Sequence, residues 1–186
     1  MCGLRTLQDV DYVNRAGVDY AGFVFAVSCQ QIDFETAKML RDALDPSIKS
    51  VGVFVGESYE FIKSVVDEEI VDLVQFHGDF EYDLPCPTIR AFRLQKIEDI
   101  KPTKCDFVLF DSYAADALGS TGGMFDWQLI ENYSGKPFFL AGGINITNIG
   151  RAMTLNPYCI DISSGVEENG KKSFRKIMEV VYACKQ

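Results

Sequence analysis

The sequence predicts an α/β fold built on a parallel sheet, and three observations carry that prediction. Seven short runs rich in Val, Ile and Phe recur along the chain: "YAGFVFAV", "SVGVFV", "VDLVQF", "PTIRAF", "DFVLF", "PFFLA" and "YCIDI". Their apolar character is nearly continuous, which suits strands buried on both faces. Amphipathic segments separate several of them, the alternation that parallel sheets require. Polar and glycine-rich residues then gather where the runs end, and that is where parallel α/β proteins collect their chemistry.

The intervening helices follow in order. "DFETAKMLRDAL" places Phe34, Ala37, Leu40 and Leu44 on one face, with Asp33 as N-cap. "ESYEFIKSVVDEE" does the same with Phe61, Ile62, Val65 and Val66. "NITNIGRAM" and the closing "SFRKIMEVVYAC", capped by Ser173, complete the set. The connections after "VDLVQF" and "PTIRAF" are short and weakly helical. No linker, low-complexity stretch or repeat divides the 186 residues, so a single domain over 1–186 is expected. Seven strand runs suit an open doubly wound sheet as well as a barrel short of one strand, so the count leaves both open.

Acidic residues outnumber basic ones by 27 to 18, for a net charge of -9. That balance excludes a phosphate-backbone or anionic-membrane surface, which needs clustered Lys and Arg. The densest basic stretch, "GKK" at Gly170 to Lys172, reads as a solvated helix start. The cysteines Cys2, Cys29, Cys86, Cys105, Cys159 and Cys184 are scattered, with no C-x-x-C pair and no metal-ligand spacing. A disulfide framework is not expected in so long a chain without a secretory signal. The longest apolar run, "AGFVFAV", is too short to span a bilayer. A cytoplasmic protein with no nucleic-acid or membrane partner is expected; a monomer fits, and oligomeric state stays open.

Two Gly/Ser loops stand out. "AGGINITN" runs from strand towards helix with Gly142 and Gly143 at the junction, and "DISSGVEENG" follows the last strand with Ser164 and Gly165. Glycine lets backbone N–H groups approach an anion, and a helix start adds partial positive charge. On consecutive final strands, such loops match the phosphate site of many barrels, after strands seven and eight. That numbering requires one strand before the first run. A single Gly-Gly would more simply be a tight turn; the pair favours a phosphate. Asp111 directly follows "FVLF", a position that suits a catalytic acid or a loop cap. His77 is the only histidine, so no multi-imidazole site can form, and Trp127 reads as packing.

In their order along the chain, "CGLRTLQD", "AGVDYAGFVFA", "VGVFV", "VQFHGD", "GSTGGMFDW", "LAGGIN" and "DISSGVE" resemble phosphoribosylanthranilate isomerase. The resemblance spans nearly the whole chain. It implies a (β/α)8 barrel whose first strand is truncated or missing, because only Met1 precedes the family's "CG" motif. It implies an Amadori rearrangement in tryptophan biosynthesis, without cofactor or metal. By resemblance the general base is Cys2 and the general acid is Asp111. To work near neutrality, Asp111 should be raised by burial and Cys2 lowered by nearby positive charge. Gly142, Gly143, Ser164 and Gly165 would hold the substrate phosphate, and His77 and Asp161 match positions near the substrate. Phe25 and Phe76 are expected beside the anthranilate ring.

Two departures from the family pattern bear on function. Gln30 stands where the family usually carries an Arg that holds the anthranilate carboxylate. A charge-assisted contact would become a neutral one, costing about 1–3 kcal/mol of binding, with Arg90 or Arg5 as substitutes. Either residues precede Met1 or the first strand is a stub, and a stub predicts exposed edges on the flanking strands and a poorly positioned Cys2. The competing readings are a catalytically impaired barrel that binds a phosphosugar or a partner protein, and another phosphosugar barrel enzyme.

Overall fold

The computed structural model describes residues 1–112 and 126–186. Seven parallel strands follow one another in space in chain order: β1 (Tyr20–Val24), β2 (Lys49–Phe54), β3 (Leu73–Phe76), β4 (Thr88–Leu94), β5 (Phe107–Ser112), β6 (Phe138–Leu140) and β7 (Cys159–Ile160). That order decides what the strand count could not. A doubly wound sheet reverses direction partway through, and a barrel does not. The "GSTGGM" portion of the resemblance and Phe125 lie outside the described residues.

Side-chain alternation sorts the strands into two faces. Val51, Leu73, Ile89, Ala91, Leu109, Phe139 and Ala141 pack together inside the barrel. Phe23, Phe54, Val74, Phe76, Phe92 and Phe110 point the other way, into the layer shared with the helices. Those helices are α1 (Leu7–Ala16), α2 (Phe34–Ala43), α3 (Tyr59–Asp67), α4 (Ile149–Thr154) and α5 (Phe174–Cys184). Asp33 caps α2 as expected, accepting from the Thr36 amide at 2.8 Å. Ser173 sits at the N-cap of α5 but makes no side-chain cap bond.

α1 was not anticipated, although its signals are present. Thr6 and Asp9 form a capping box, Gly17 closes the helix at φ 63°, and Val10, Val13 and Ala16 form the buried stripe. A second unanticipated element is the hairpin β8 (Glu167–Glu168) and β9 (Lys171–Lys172). Its turn is Asn169–Gly170, both at positive φ, a residue pair that specifies a two-residue hairpin. The expectation that "GKK" is a solvated helix start is therefore wrong. The hairpin turns Lys172 inward, leaving its side chain 2% exposed against Glu167.

Met1–Leu4 stand in for the first barrel strand. The Met1 amino group donates to Tyr20 O at 2.7 Å, and the Gly22 amide donates to Met1 O at 2.7 Å. The Cys2 amide donates to Ile162 O at 3.0 Å, and the Gly3 and Leu4 amides donate to Gly22 O at 3.0 and 3.1 Å. Leu4 is fully buried in the helix-side core. The edges expected to be exposed are thus covered at the C-terminal end of the strands. At the opposite end a cavity of about 560 Å³ remains between β1 and β7, lined by Tyr20, Met153, Tyr158, Cys159, Val180 and Val181 among others.

Candidate active site

The C-terminal rim of the barrel collects the predicted residues. Cys2 forms a parallel bridge to Gly22, and its neighbours explain why residue 22 is glycine. A Cβ there would lie 2.9 Å from both the Cys2 Sγ and Cα. Cys2 packs with Val24, Ala26 and Val53, the apolar wall of the mouth. It also lines a small pocket with Gln75 and Asp161. The expectation of a poorly positioned cysteine does not hold, because backbone bonds to β1 and to Ile162, just beyond β7, hold it.

The Cys2 thiol is pushed up to about 12, first by burial and then by the Asp161 carboxylate. The Met1 ammonium and Lys172 pull it down without overcoming those two. The expected lowering is therefore reversed. Burial also raises Asp161 above the usual carboxylate range, against the pull of the Met1 ammonium and Lys172.

Asp111 is half-buried near the end of β5, in register with Arg93 of β4. Arg93 shares the inward side of β4 with Ile89 and Ala91 and is exposed at the rim. Its two-residue spacing from Ile89 and Ala91 is the signal in the sequence that places it on their face. His77 stands one residue beyond β3 on the same side as Leu73 and Gln75. The Gln75 side-chain amide lies 2.7 Å from His77 Nε2; for the amide to donate, the ring proton must sit on Nδ1. His77 is lowered to about 4, chiefly by burial and further by Arg93 and Arg90, so it is neutral at ordinary pH.

The two glycine loops meet. Gly142 and Gly143 both have positive φ, 88° and 68°, and Asn145 and Asn148 both donate side-chain hydrogen bonds to Gly143 O at 3.1 Å. A Cβ on Gly165 would fall 1.9 Å from Ile144 O. Only glycine permits the second loop to rest on the first, and the result is one cradle. Ser164 is exposed at its lip.

Other expectations fail on strand parity. Phe25 and Phe76 belong to the helix-side core; Phe25 stacks on Phe54 with ring centroids 4.9 Å apart. Val24, Ala26 and Val53 supply the apolar wall instead. Arg90 also faces outward, donating to Phe80 O at 2.8 Å. Arg5 is occupied by Cys29 O at 2.9 Å and Gly170 O at 2.5 Å. Neither is placed as a substitute for the absent arginine. Gln30 reaches across to the β7 loop, where its Nε2 donates to Ser163 Oγ and Glu167 Oε1, both at 2.8 Å. Trp127 is buried, as a packing residue should be. Among the described residues, no cluster of three or more His, Cys, Asp or Glu side chains could hold a metal ion. No helix among them is long and apolar enough to cross a membrane.

Comparison with known proteins addresses the same assembly. A family model described as N-(5'phosphoribosyl)anthranilate (PRA) isomerase matches residues 1–183. A relative from Endomicrobium trichonymphae, named N-(5'-phosphoribosyl)anthranilate isomerase, is 45% identical, with 97% of this chain and 94% of the relative covered. The crystal structure of phosphoribosyl anthranilate isomerase from Thermotoga maritima superposes with a TM-score of 0.86 at 30% identity, covering 100% of this chain and 97% of that one. A further structure of such an isomerase, in complex with reduced 1-(o-carboxyphenylamino)-1-deoxyribulose 5-phosphate, gives a TM-score of 0.82 at 29% identity, covering 99% and 96%. The sequential parallel barrel, the seam cysteine and the matched relatives agree: the chain belongs to the N-(5'-phosphoribosyl)anthranilate isomerase family.

Proposed function

We propose that Cys2 and Asp111 carry the family's reaction in this chain, converting N-(5'-phosphoribosyl)anthranilate to 1-(2-carboxyphenylamino)-1-deoxyribulose 5-phosphate. The observation that carries this reading is the seating of Cys2. Hydrogen bonds to β1 and to Ile162 fix it at the rim where Asp111 and both glycine loops end. The bound phosphosugar in the related complex supports a ligand of the same kind here.

The substrate phosphate lies in the cradle of Gly142, Gly143, Ser164 and Gly165, where backbone N–H groups meet the anion. The anthranilate ring rests on Val24, Ala26 and Val53. Asp111 donates a proton to the ribose ring oxygen, the C1–O bond breaks, and the nitrogen lone pair forms a protonated Schiff base. The Cys2 thiol gives up its proton to solvent as the Schiff-base cation forms beside it, and the resulting thiolate takes the proton from C2. The C2–H electrons form the C1–C2 enolamine, which tautomerises to the ketone. A thiol near 12 is a strong base once ionised, and the positive charge of the Schiff base lowers the cost of ionising it. His77 and Asp161 flank the sugar, with His77 as a neutral hydrogen-bonding group. The protein works as one cytoplasmic domain over residues 1–186.

Complementation tests the reading. The chain should restore growth without tryptophan to a strain lacking the isomerase. Cys2→Ala and Asp111→Asn should each abolish rescue while the protein stays soluble and folded. Rescue by either variant at wild-type rate refutes the role given to that residue. Phosphosugar binding without rescue by the unaltered chain would identify the impaired barrel instead.

A further inference from the structure

Gln30 packs against the N-terminal segment rather than standing free at the mouth. Its carboxamide lies flat on Gly3, the residue after Cys2. A Cβ at Gly3 would come within 2.5 Å of the Gln30 Cδ and Oε1, and Gly3 takes φ 76°. Both ends of the same carboxamide are engaged. Nε2 donates to Glu167 Oε1 at 2.8 Å, and Ser163 Oγ donates to Oε1 at 3.0 Å. Lys172 joins from the hairpin. Its Nζ donates to Glu167 Oε1 at 2.8 Å and to Ser163 O at 3.0 Å. Arg5 ties the same three segments together from the outside, through Cys29 O and Gly170 O.

We propose that Gln30 is a positioning residue for the catalytic base, clamping the Cys2–Gly3 peptide to the Ser163–Glu167–Lys172 cluster. The inference rests on Cys2 being that base. Backbone bonding holds Gly3 on the β1 side, its amide donating to Gly22 O at 3.0 Å, and leaves its other side to side-chain contacts. The Gln30 amide closes that side and joins it to the loop that also carries Asp161 and Ser164. Base and phosphate cradle are thereby held in one frame. With its donor and acceptor both engaged, the amide has no free hydrogen bond to offer a substrate carboxylate. The clamp also keeps the Lys172–Glu167 pair close to the thiol, and Lys172 acts to lower the thiol's pKa.

The test compares Gln30→Leu, Gln30→Glu and Cys2→Ser with the unaltered enzyme, each checked for folding by circular dichroism. Gln30→Leu keeps the bulk and loses the bonds. A displacement of about an ångström at the base lowers kcat on the order of a hundredfold, with KM changed less than about threefold. Gln30→Glu puts a second carboxylate on Glu167, so its kcat deficit should deepen from pH 5.5 to pH 8, a trend a purely structural defect would not produce. A rise in KM of tenfold or more with kcat intact would make Gln30 a substrate contact and overturn the proposal. Wild-type kcat in both Gln30 variants would overturn it as well. Cys2→Ser separates the two failures. If it abolishes turnover while the Gln30 variants do not, only the clamp is wrong; if it turns over at the wild-type rate, the base assignment falls and the clamp with it.

Discussion

The seam between β1 and β7 is built differently at its two ends. At the mouth, Met1–Leu4 bond to β1 and, through the Cys2 amide, to Ile162 just beyond β7, and the Gln30, Ser163, Glu167 and Lys172 side chains tie down the far side. At the foot, the same two strands face each other across a cavity of about 560 Å³. There the contact between flanking elements includes a 3.0 Å hydrogen bond between the hydroxyls of Tyr20 and Tyr158. The difference places the backbone support at the end where the proposed base, Cys2, sits. A general base must be fixed to within a fraction of an ångström, and Cys2 is flanked by backbone bonds to β1 on one side and to Ile162 on the other. The foot holds apolar packing and the tyrosine hydrogen bond, and neither Cys2 nor Asp161 lines its cavity.

The comparison is broken most severely at the mouth. Cys2→Ala and Asp111→Asn should each lower kcat by a factor of about 10²–10⁴, the range that proton-transfer groups contribute, measured by the change in anthranilate fluorescence at saturating substrate. Gly22→Ala forces a Cβ to 2.9 Å from the Cys2 Sγ; kcat should fall on the order of a hundredfold as the thiol is displaced. A wild-type kcat in this variant would show that the seam tolerates movement of the base.

Lys172→Met joins rate to stability. It strands Glu167 without its buried partner, and breaking such a pair costs about 3–5 kcal/mol, to be read from denaturant unfolding. It also removes a positive charge that favours the Cys2 thiolate. Alkylation of Cys2 by iodoacetamide, followed residue by residue by mass spectrometry, should be slower than in the unaltered protein. In that protein the rate should climb about tenfold per pH unit from 7 to 10, because the thiol ionises near 12. A plateau near pH 8.5 would refute the raised value.

His77 links pH to stability. Its pKa is held near 4 against an ordinary 6.5. As pH falls, the unfolded chain takes up the proton first, so stability should drop between pH 6.5 and about 4. His77→Gln should flatten that part of the profile. The smallest effect belongs to the foot: Tyr158→Phe removes one exposed hydrogen bond, worth about 1 kcal/mol or less, and should leave kcat unchanged. A large loss of rate there would mean that the two ends of the seam are coupled.

Much of this was present in the linear chain because it depends on local composition. The seven strands coincide with the seven apolar runs, and α2 begins where Asp33 places it. The pairing of "LAGGIN" with "DISSGVE" pointed to one cradle, and Gly165 resting on Ile144 O is its structural form. Two omissions were local as well. The Thr6–Asp9 capping box and the Asn169–Gly170 turn are short-range signals overlooked in favour of longer periodic stretches. The outward turn of Phe25, Phe76 and Arg90 is of another kind. Strand alternation separates the faces, but a run buried on both sides does not say which face is inside.

Residue types and spacing by themselves determined the α/β class, the strand count and the set of residues at the strand ends. The sequential strand order, the closing of the seam by Met1–Leu4, the raised Cys2 thiol and the turning of Gln30 onto Gly3 were decided only by the tertiary structure. Each depends on groups from distant parts of the chain meeting in space: Cys2 with Asp161 and Lys172, Gln30 with Ser163 and Glu167. Burial and charge act over a few ångströms, whereas these partners lie more than a hundred residues apart in sequence.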